Sequence, residues 1–212
     1  MPSIPIDETL RALDDLIRAG KIRYIGCSNL VAWQLMKALA ISRAEGLQRF
    51  KCTQSYYSLA GRELEREMIP LLTDQGVGLL VWSPLAGGFL SGKFSRGGTD
   101  ATGRRANFDF PPIDKERVYD IVDVMRHLAA AHGASVAQVG LAWLLAQPVV
   151  STIIIGARKP EQLEDNLKSV DLTLSPDELK ALDEASRLRA EYPAWMDALP
   201  SDRRTGEERR FE

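Results

Sequence analysis

Four short apolar runs, each followed by a stretch with helical periodicity, constrain this chain more than any other feature. The runs fall at residues 22–25, 50–54, 77–82 and 149–155. They are too apolar to face water on either side, so both faces of the sheet they form are expected to be covered. Buried strands that alternate with helices make βαβ units and a parallel sheet. The first three runs start about one βα unit apart. An eight-unit barrel takes roughly 250 residues. The 212 residues here supply four units and a leading helix.

The helices announce themselves by spacing and by their ends. Leu10, Leu13 and Ile17 follow an expected Asp7 N-cap, and Gly20 closes the segment. Trp33, Met36, Leu39 and Ala40 define a second apolar face, stopped by Gly46. Leu64, Met68, Leu71 and Leu72 define a third, ending near Gly76, and Pro70 inside it predicts a kink. Two more helices are expected at 115–132 and at 136–146, the latter behind a Ser135 cap. Pro160 opens a helix to Leu167. Ser175-Pro-Asp-Glu178 has the form of a capping box and opens a last helix to Ser186. Residues 1–190 read as one domain and 191–212 as a polar tail.

Composition narrows the partners. The net charge is −2 with no long basic block, which argues against nucleic acid. No apolar run approaches the roughly 20 residues of a membrane span. The N-terminus shows neither a basic start nor an apolar signal core. Cys27 and Cys52 lie far apart in apolar runs and read as reduced core thiols of a cytoplasmic protein. His127 and His132 lie in or at the end of a helix, five residues apart on different faces, and read as surface or packing residues rather than a metal pair.

Chemistry concentrates where the third run stops. The segment Val81-Trp-Ser-Pro-Leu-Ala-Gly-Gly-Phe-Leu-Ser-Gly-Lys93 turns an apolar strand into a glycine-rich loop ending in a lysine. Small residues expose backbone N–H groups, and a lysine beside them attracts an anion. The loop nearly fits G-x-x-x-x-G-K-[ST], but Phe94 stands where the motif needs a magnesium-binding hydroxyl, which argues against a nucleoside-triphosphatase site. Phosphate binding and a plain turn both remain open on this loop alone.

The other strand ends add context: Gly26-Cys-Ser-Asn29, Cys52-Thr-Gln-Ser-Tyr-Tyr57, Trp82-Ser-Pro-Leu85 and Ile155-Gly-Ala-Arg-Lys-Pro-Glu-Gln-Leu-Glu-Asp-Asn166. In this order they resemble the C-terminal half of the aldo-keto reductase superfamily, in particular its bacterial and potassium-channel β-subunit-like branch. The resemblance covers about residues 5–195. It implies an α/β fold, the C-terminal half of a (β/α)₈ TIM barrel. It further implies that Ser28, Asn29 and Gln54 hold a nicotinamide carboxamide and that Trp82 stacks on the ring. Backbone groups of Ser83, Leu85 and Gly87 would meet the pyrophosphate, with Lys93 near a phosphate. Gly156, Ala157 and Arg158 would follow the adenosine ribose, and Arg158 would favour NADP(H) over NAD(H) by pairing with a 2′-phosphate. Gln162, Asp165 and Asn166 would face the adenosine. The residue chemistry agrees in kind: amides suit a carboxamide, an indole is a flat apolar platform, and a guanidinium suits a phosphate. Simpler roles stay open for each residue alone: a helix cap for Asn29, a core aromatic for Trp82, a solvated charge for Arg158.

The resemblance also implies an NAD(P)(H)-dependent carbonyl oxidoreductase by lineage. The family's catalytic Asp, Tyr, Lys and His come from its first four βα units. The leading helix here corresponds to the helix before the fifth strand, so the expectation is a cofactor-binding half without that tetrad. Tyr56 and Tyr57 are expected to shape the pocket rather than replace the lost acid, and residues 104–110 either lie over its mouth or form a disordered loop. Open sheet edges predict an N-terminal half-barrel partner or a homo-oligomer. The alternatives are a nucleotide-binding or regulatory module and a non-functional fragment.

Overall fold

The computed structural model describes residues 4–97 and 109–198. Its centre is a four-stranded, all-parallel sheet in the order β1-β2-β3-β4. The strands are β1 (Gly26–Ser28), β2 (Cys52–Tyr56), β3 (Gly78–Trp82) and β4 (Val150–Ile153). Gly26 pairs with Cys52, and Cys52 with Gly78. The register slips between Leu79 and Leu80, which pair with Val150 and Thr152.

The first two strands begin later than their apolar runs suggest. Ile25 is buried but lies just before β1, and Phe50 is buried just before β2. Close packing in the first paired row accounts for the shift. A Cβ at Gly26 would lie 2.6 Å from the Cys52 sulfur, and one at Gly78 would lie 2.6 Å from Ser151 Oγ. Glycine keeps this row tightly packed, and Ile25, Phe50 and Val77 just before it fill the core.

The strands are not buried on both faces, which corrects the reading of their apolar runs. Thr53, Ser55, Leu79 and Val81 are buried on one face, whereas Gln54, Tyr56, Leu80 and Trp82 on the other are half-buried. The buried face packs under the helices. These are α1 (Ile6–Arg18), α2 (Ala32–Glu45), α3 (Met68–Gln75), α4 (Lys115–His132), α5 (Val136–Leu145), α6 (Pro160–Leu167) and α7 (Pro176–Ser186). Leu35 and Leu39 of α2, Leu72 of α3, Ile121 and Met125 of α4, and Val139 and Trp143 of α5 join Leu79 and Val81 in one core. Fully burying each such side chain contributes on the order of 2 kcal/mol.

The helix ends follow their signals where the signals are strong. Ser135 Oγ accepts from the Gln138 N–H at 3.2 Å. The Ser175–Glu178 capping box is complete, with Glu178 Oε2 accepting from the Ser175 N–H at 2.7 Å. Glu178 also meets His132 Nε2 at 2.7 Å, and His127 is exposed. Three expectations fail. Helix α1 starts two residues early, after Pro5, so Asp7 sits in the first turn and pairs with Arg11 instead of capping. Helix α3 starts at Met68, and Leu64 belongs to a separate short turn. Pro70 therefore falls in the first turn, where its missing N–H breaks no bond and causes no kink. In α2 the buried stripe is Leu35, Ala38 and Leu39, and Trp33, Met36 and Ala40 are exposed.

Arg62 fixes the segment that follows β2. It is buried, lies 5.1 Å over the Trp143 ring, and pairs with Glu65 at 2.7 Å and Asp183 at 2.9 Å. It also donates to Ser186 Oγ at 2.7 Å, which ties this segment to the end of α7. Cys27 and Cys52 are free and half-buried rather than deep in the core. Among the described residues no single helix is long and apolar enough to cross a membrane. Most of the expected polar tail, residues 199–212, lies outside the described residues. The part that is described includes Glu191, which pairs with Arg66 at 2.8 Å.

Candidate functional site

Parallel pairing brings the C-terminal ends of all four strands to one edge, and most of the polar residues singled out in the sequence are there. Ser28 ends β1, and its Oγ donates to the Gln54 carbonyl at 2.9 Å. The backbone N–H of Asn29 donates to the same carbonyl at 3.1 Å. That bond accompanies a left-handed backbone at Asn29, φ 55°. Asparagine tolerates this region better than most residues. Trp82 ends β3 and reaches back across β2, where its Nε1–H donates to Asn29 Oδ1 at 3.0 Å.

Aromatic rings border Trp82 on two sides. Tyr56, its register partner on β2, lies 5.2 Å away at 34°. Phe110, from the connection after β3, stacks at 5.6 Å with the ring planes 6° from parallel. The indole thus already carries a parallel, offset ring. Of the segment 104–110 expected over the mouth, only Asp109 and Phe110 are among the described residues. Ser58 Oγ donates to the Tyr56 hydroxyl at 3.0 Å. Tyr57 points the other way, into the core, and its hydroxyl donates to Glu65 Oε1 at 2.6 Å. Burial and then that bond hold its phenol far above the ordinary tyrosine range, which keeps it neutral and a poor acid.

The glycine-rich loop after β3 is a double turn of fixed shape. Ser83 and Ala86 have positive φ, 51° and 48°, as do Gly87 at 66° and Gly88 at 92°. Non-glycine residues in this region store backbone strain and gather at functional sites. The turn binds itself: the Gly87 N–H donates to Ser83 Oγ at 3.1 Å, and the Leu85 carbonyl accepts from Gly88 at 2.8 Å and Leu90 at 3.2 Å. Arg126 of α4 holds it from below, donating to the carbonyls of Gly92 at 2.8 Å and Phe94 at 3.0 Å. Arg96 anchors the next residues on Glu116, Asp120 and Asp123. Lys93 is exposed, with its ammonium 4.9 Å from the centre of the Phe94 ring.

The end of β4 is open by contrast. Ile154 donates to the Val81 carbonyl at 2.8 Å, which sets the following residues beside Trp82 and Ser83. Gly156, Ala157 and Arg158 are exposed, and Gln162 Oε1 accepts from the Arg158 N–H at 3.1 Å. Asp165 faces elsewhere: its carboxylate accepts from Ser135 Oγ at 2.7 Å and Gln138 Nε2 at 2.6 Å, which joins α6 to α5. Asn166 is buried. The structure therefore gathers Ser28, Asn29, Gln54, Trp82, the turn from Ser83 to Lys93, and residues 156–158 with Gln162. It turns the Asp165 carboxylate away from them. No sequence signal revealed the Trp82–Asn29 bond or the Phe110 stack, because each joins residues that are distant along the chain.

Residues 1–187 match the model of the Aldo/keto reductase family. The chain is 39% identical over 182 residues to a Bacillus subtilis protein named "Uncharacterized oxidoreductase YrpG", covering 85% of this chain and 54% of that protein. It is 35% identical over 191 residues to the versiconal hemiacetal acetate reductase of Aspergillus parasiticus, covering 89% and 55%. Among solved structures it resembles the thermostable aldo-keto reductase Tm1743 in complex with the inhibitor epalrestat. The TM-score is 0.67 at 31% identity, over 87% of this chain and 56% of that one. The chain spans about half the length of the curated relatives it matches.

Proposed function

The chain belongs to the aldo/keto reductase family, with its four parallel strands forming part of the family's (β/α) barrel, and on that premise we propose that its strand ends form the cofactor wall of an NAD(P)(H)-dependent carbonyl oxidoreductase. One observation carries the reading. Trp82 presents a flat apolar face that stacks a ring in parallel, and an amide and a hydroxyl stand beside it on Asn29 and Ser28. That is the chemistry a nicotinamide ring with its carboxamide requires.

A nicotinamide cofactor held here would supply a hydride to a carbonyl carbon. The chain's own residues bind and orient it. Trp82 supports the ring, while Asn29, Ser28 and Gln54 fix its rotation and so the face it offers. The strained turn and exposed Lys93 would flank the pyrophosphate, where the lysine charge would offset that of the phosphates. Gly87 already donates to Ser83, and the Leu85 carbonyl already accepts two bonds. Those two residues therefore act by shaping the turn, and Lys93 brings the charge.

Arg158 is exposed at the end of β4 and suits a 2′-phosphate, which favours NADP(H) over NAD(H). Gln162 shapes the backbone there through its bond to the Arg158 N–H. The Asp165 carboxylate, bound to Ser135 and Gln138, supports α6 and leaves the adenosine to its neighbours.

The proton donor of the reaction lies outside these residues in this reading. Tyr57 is buried against Glu65 and is the wrong kind of phenol for the task. The sheet edges at β1 and β4 pair with further strands of the reductase fold, in the same or another chain, and that part carries the acid. The free thiols of Cys27 and Cys52 suit a reducing compartment, and the reading places the protein in the cytoplasm.

Titration with NADPH and NADH, followed by tryptophan fluorescence, tests the reading. It expects saturable quenching, tighter for NADPH, and lost in Trp82→Ala. Absence of saturable quenching by either nucleotide overturns it. Steady NADPH oxidation with an aldehyde by these 212 residues alone, lost in Trp82→Ala, contradicts placing the proton donor elsewhere.

A further inference from the structure

We propose that Trp82, beyond serving as a platform, is a positioning residue that sets the amide orientation of Asn29 and thereby makes the site select a ring carrying a carbonyl acceptor. The inference rests on the nicotinamide reading above and adds to it a rule for which ring substituents bind.

The argument is one of donors and acceptors. An indole N–H can only donate, whereas an asparagine side chain has one accepting oxygen and a donating NH₂. Trp82 Nε1 and the Asn29 side chain meet at 3.0 Å, an ordinary N–H···O distance. Turning the amide over would set two donors against each other, so the pairing itself assigns Oδ1 to the indole. The backbone cannot swing the group away freely. Asn29 is held at φ 55° with its N–H on the Gln54 carbonyl, and that carbonyl also accepts from Ser28. The indole bond fixes which end of the amide is the oxygen, and the NH₂ is then the one donor that the Asn29 side chain has for a ring lying on the indole. The site thus asks the ring substituent for an acceptor, and a carboxamide or ketone oxygen answers.

Calorimetric titration of the full chain with three ligands tests this. NADP⁺ carries the carboxamide, its 3-acetylpyridine analogue keeps the carbonyl but lacks the amide NH₂, and 2′,5′-ADP lacks the ring. NADP⁺ and the analogue should bind alike. Trp82→Phe keeps a flat ring but loses the N–H. It should weaken both about fivefold, the worth of one neutral hydrogen bond, and leave 2′,5′-ADP unchanged. Asn29→Ala should then cost less in the Trp82→Phe background than in the original chain. Asn29→Asp still accepts from the indole but offers the ring no donor, so it should lose affinity for both carbonyl ligands and keep it for 2′,5′-ADP. Equal cost of Asn29→Ala in both backgrounds, or equal weakening of all three ligands by Trp82→Phe, overturns the proposal. If the original chain binds 2′,5′-ADP with no gain from the ring, the nicotinamide reading survives only for the adenosine end and this inference fails. If it binds none of the three, the proposed function fails and takes this inference with it.

Discussion

The two faces of the same four strands differ in what holds them. On the helix-covered face Leu79 and Val81 are 0% exposed, and Thr53 and Ser55, also buried, satisfy each other through their hydroxyls at 3.3 Å. On the other face Gln54, Tyr56, Leu80 and Trp82 are half-buried. There Gln54 takes two donors on its carbonyl, and Trp82 reaches across to Asn29. The two sets alternate residue by residue, so a strand assigns one neighbour to packing and the next to the open face where the proposed site lies. Stability and ligand chemistry should therefore separate under mutation even between adjacent positions.

The largest effect expected is on the packed face. Leu79→Ala should cost about 3 kcal/mol in urea unfolding, with the affinity of the folded protein for NADPH unchanged. Loss of affinity in step with stability would break the separation. Trp82→Ala should do the reverse, weakening NADPH binding by about 2 kcal/mol, or roughly 30-fold, with a much smaller change in urea midpoint. Ser175→Ala removes half of a capping box far from the strand ends. It should lower stability by about 1 kcal/mol in thermal melts and leave binding untouched.

A pH series sharpens the same contrast. The bond from Arg18, and then the N–H of Gln48, hold the Asp14 carboxyl below the usual carboxylate range. A carboxyl depressed in the folded state stabilises above its unfolded pKa, and that stabilisation is lost as pH falls through the folded value. Urea midpoints should thus fall on acidification below about pH 4, and less steeply in Asp14→Asn, while nucleotide binding at neutral pH stays the same. The smallest effect is expected at Phe110. Its ring occupies a face of Trp82, so Phe110→Ala should tighten NADPH binding about threefold by removing a competing stack.

Much of the fold was legible because helix ends are written locally. Ser135, Pro160 and the Ser175–Glu178 box each stand where the chain turns into a helix, and Gly46, Gly76 and Gly133 adopt left-handed caps where helices stop. Strand limits were less legible, because they depend on a partner. The pairing of Gly26 with Cys52 moves β1 past its apolar run, and nothing near residue 22 signals it. The burial of only one face is not written in the runs either, because Leu80 and Trp82 on the open face are as apolar as Leu79 and Val81 on the packed one. Ser28 and Trp82 end strands, Asn29 follows directly on β1, and Gln54 is the β2 register partner of Ser28, so the strand pattern already groups the four. The direction of the Asp165 carboxylate is not written in that pattern, since it depends on Ser135 and Gln138 nearly thirty residues earlier.

The central claim is that the indole of Trp82 receives the nicotinamide ring. The chain has four tryptophans, so a proton–nitrogen correlation spectrum shows four indole N–H signals, and Trp82→Phe identifies the one that belongs to Trp82. Adding NADP⁺ should shift that signal to a saturable limit, with little movement of the signal from Trp143, buried in the core, and 2′,5′-ADP should leave the Trp82 signal nearly in place. A Trp82 signal that stays put at saturating NADP⁺, or that moves equally with 2′,5′-ADP, contradicts the account.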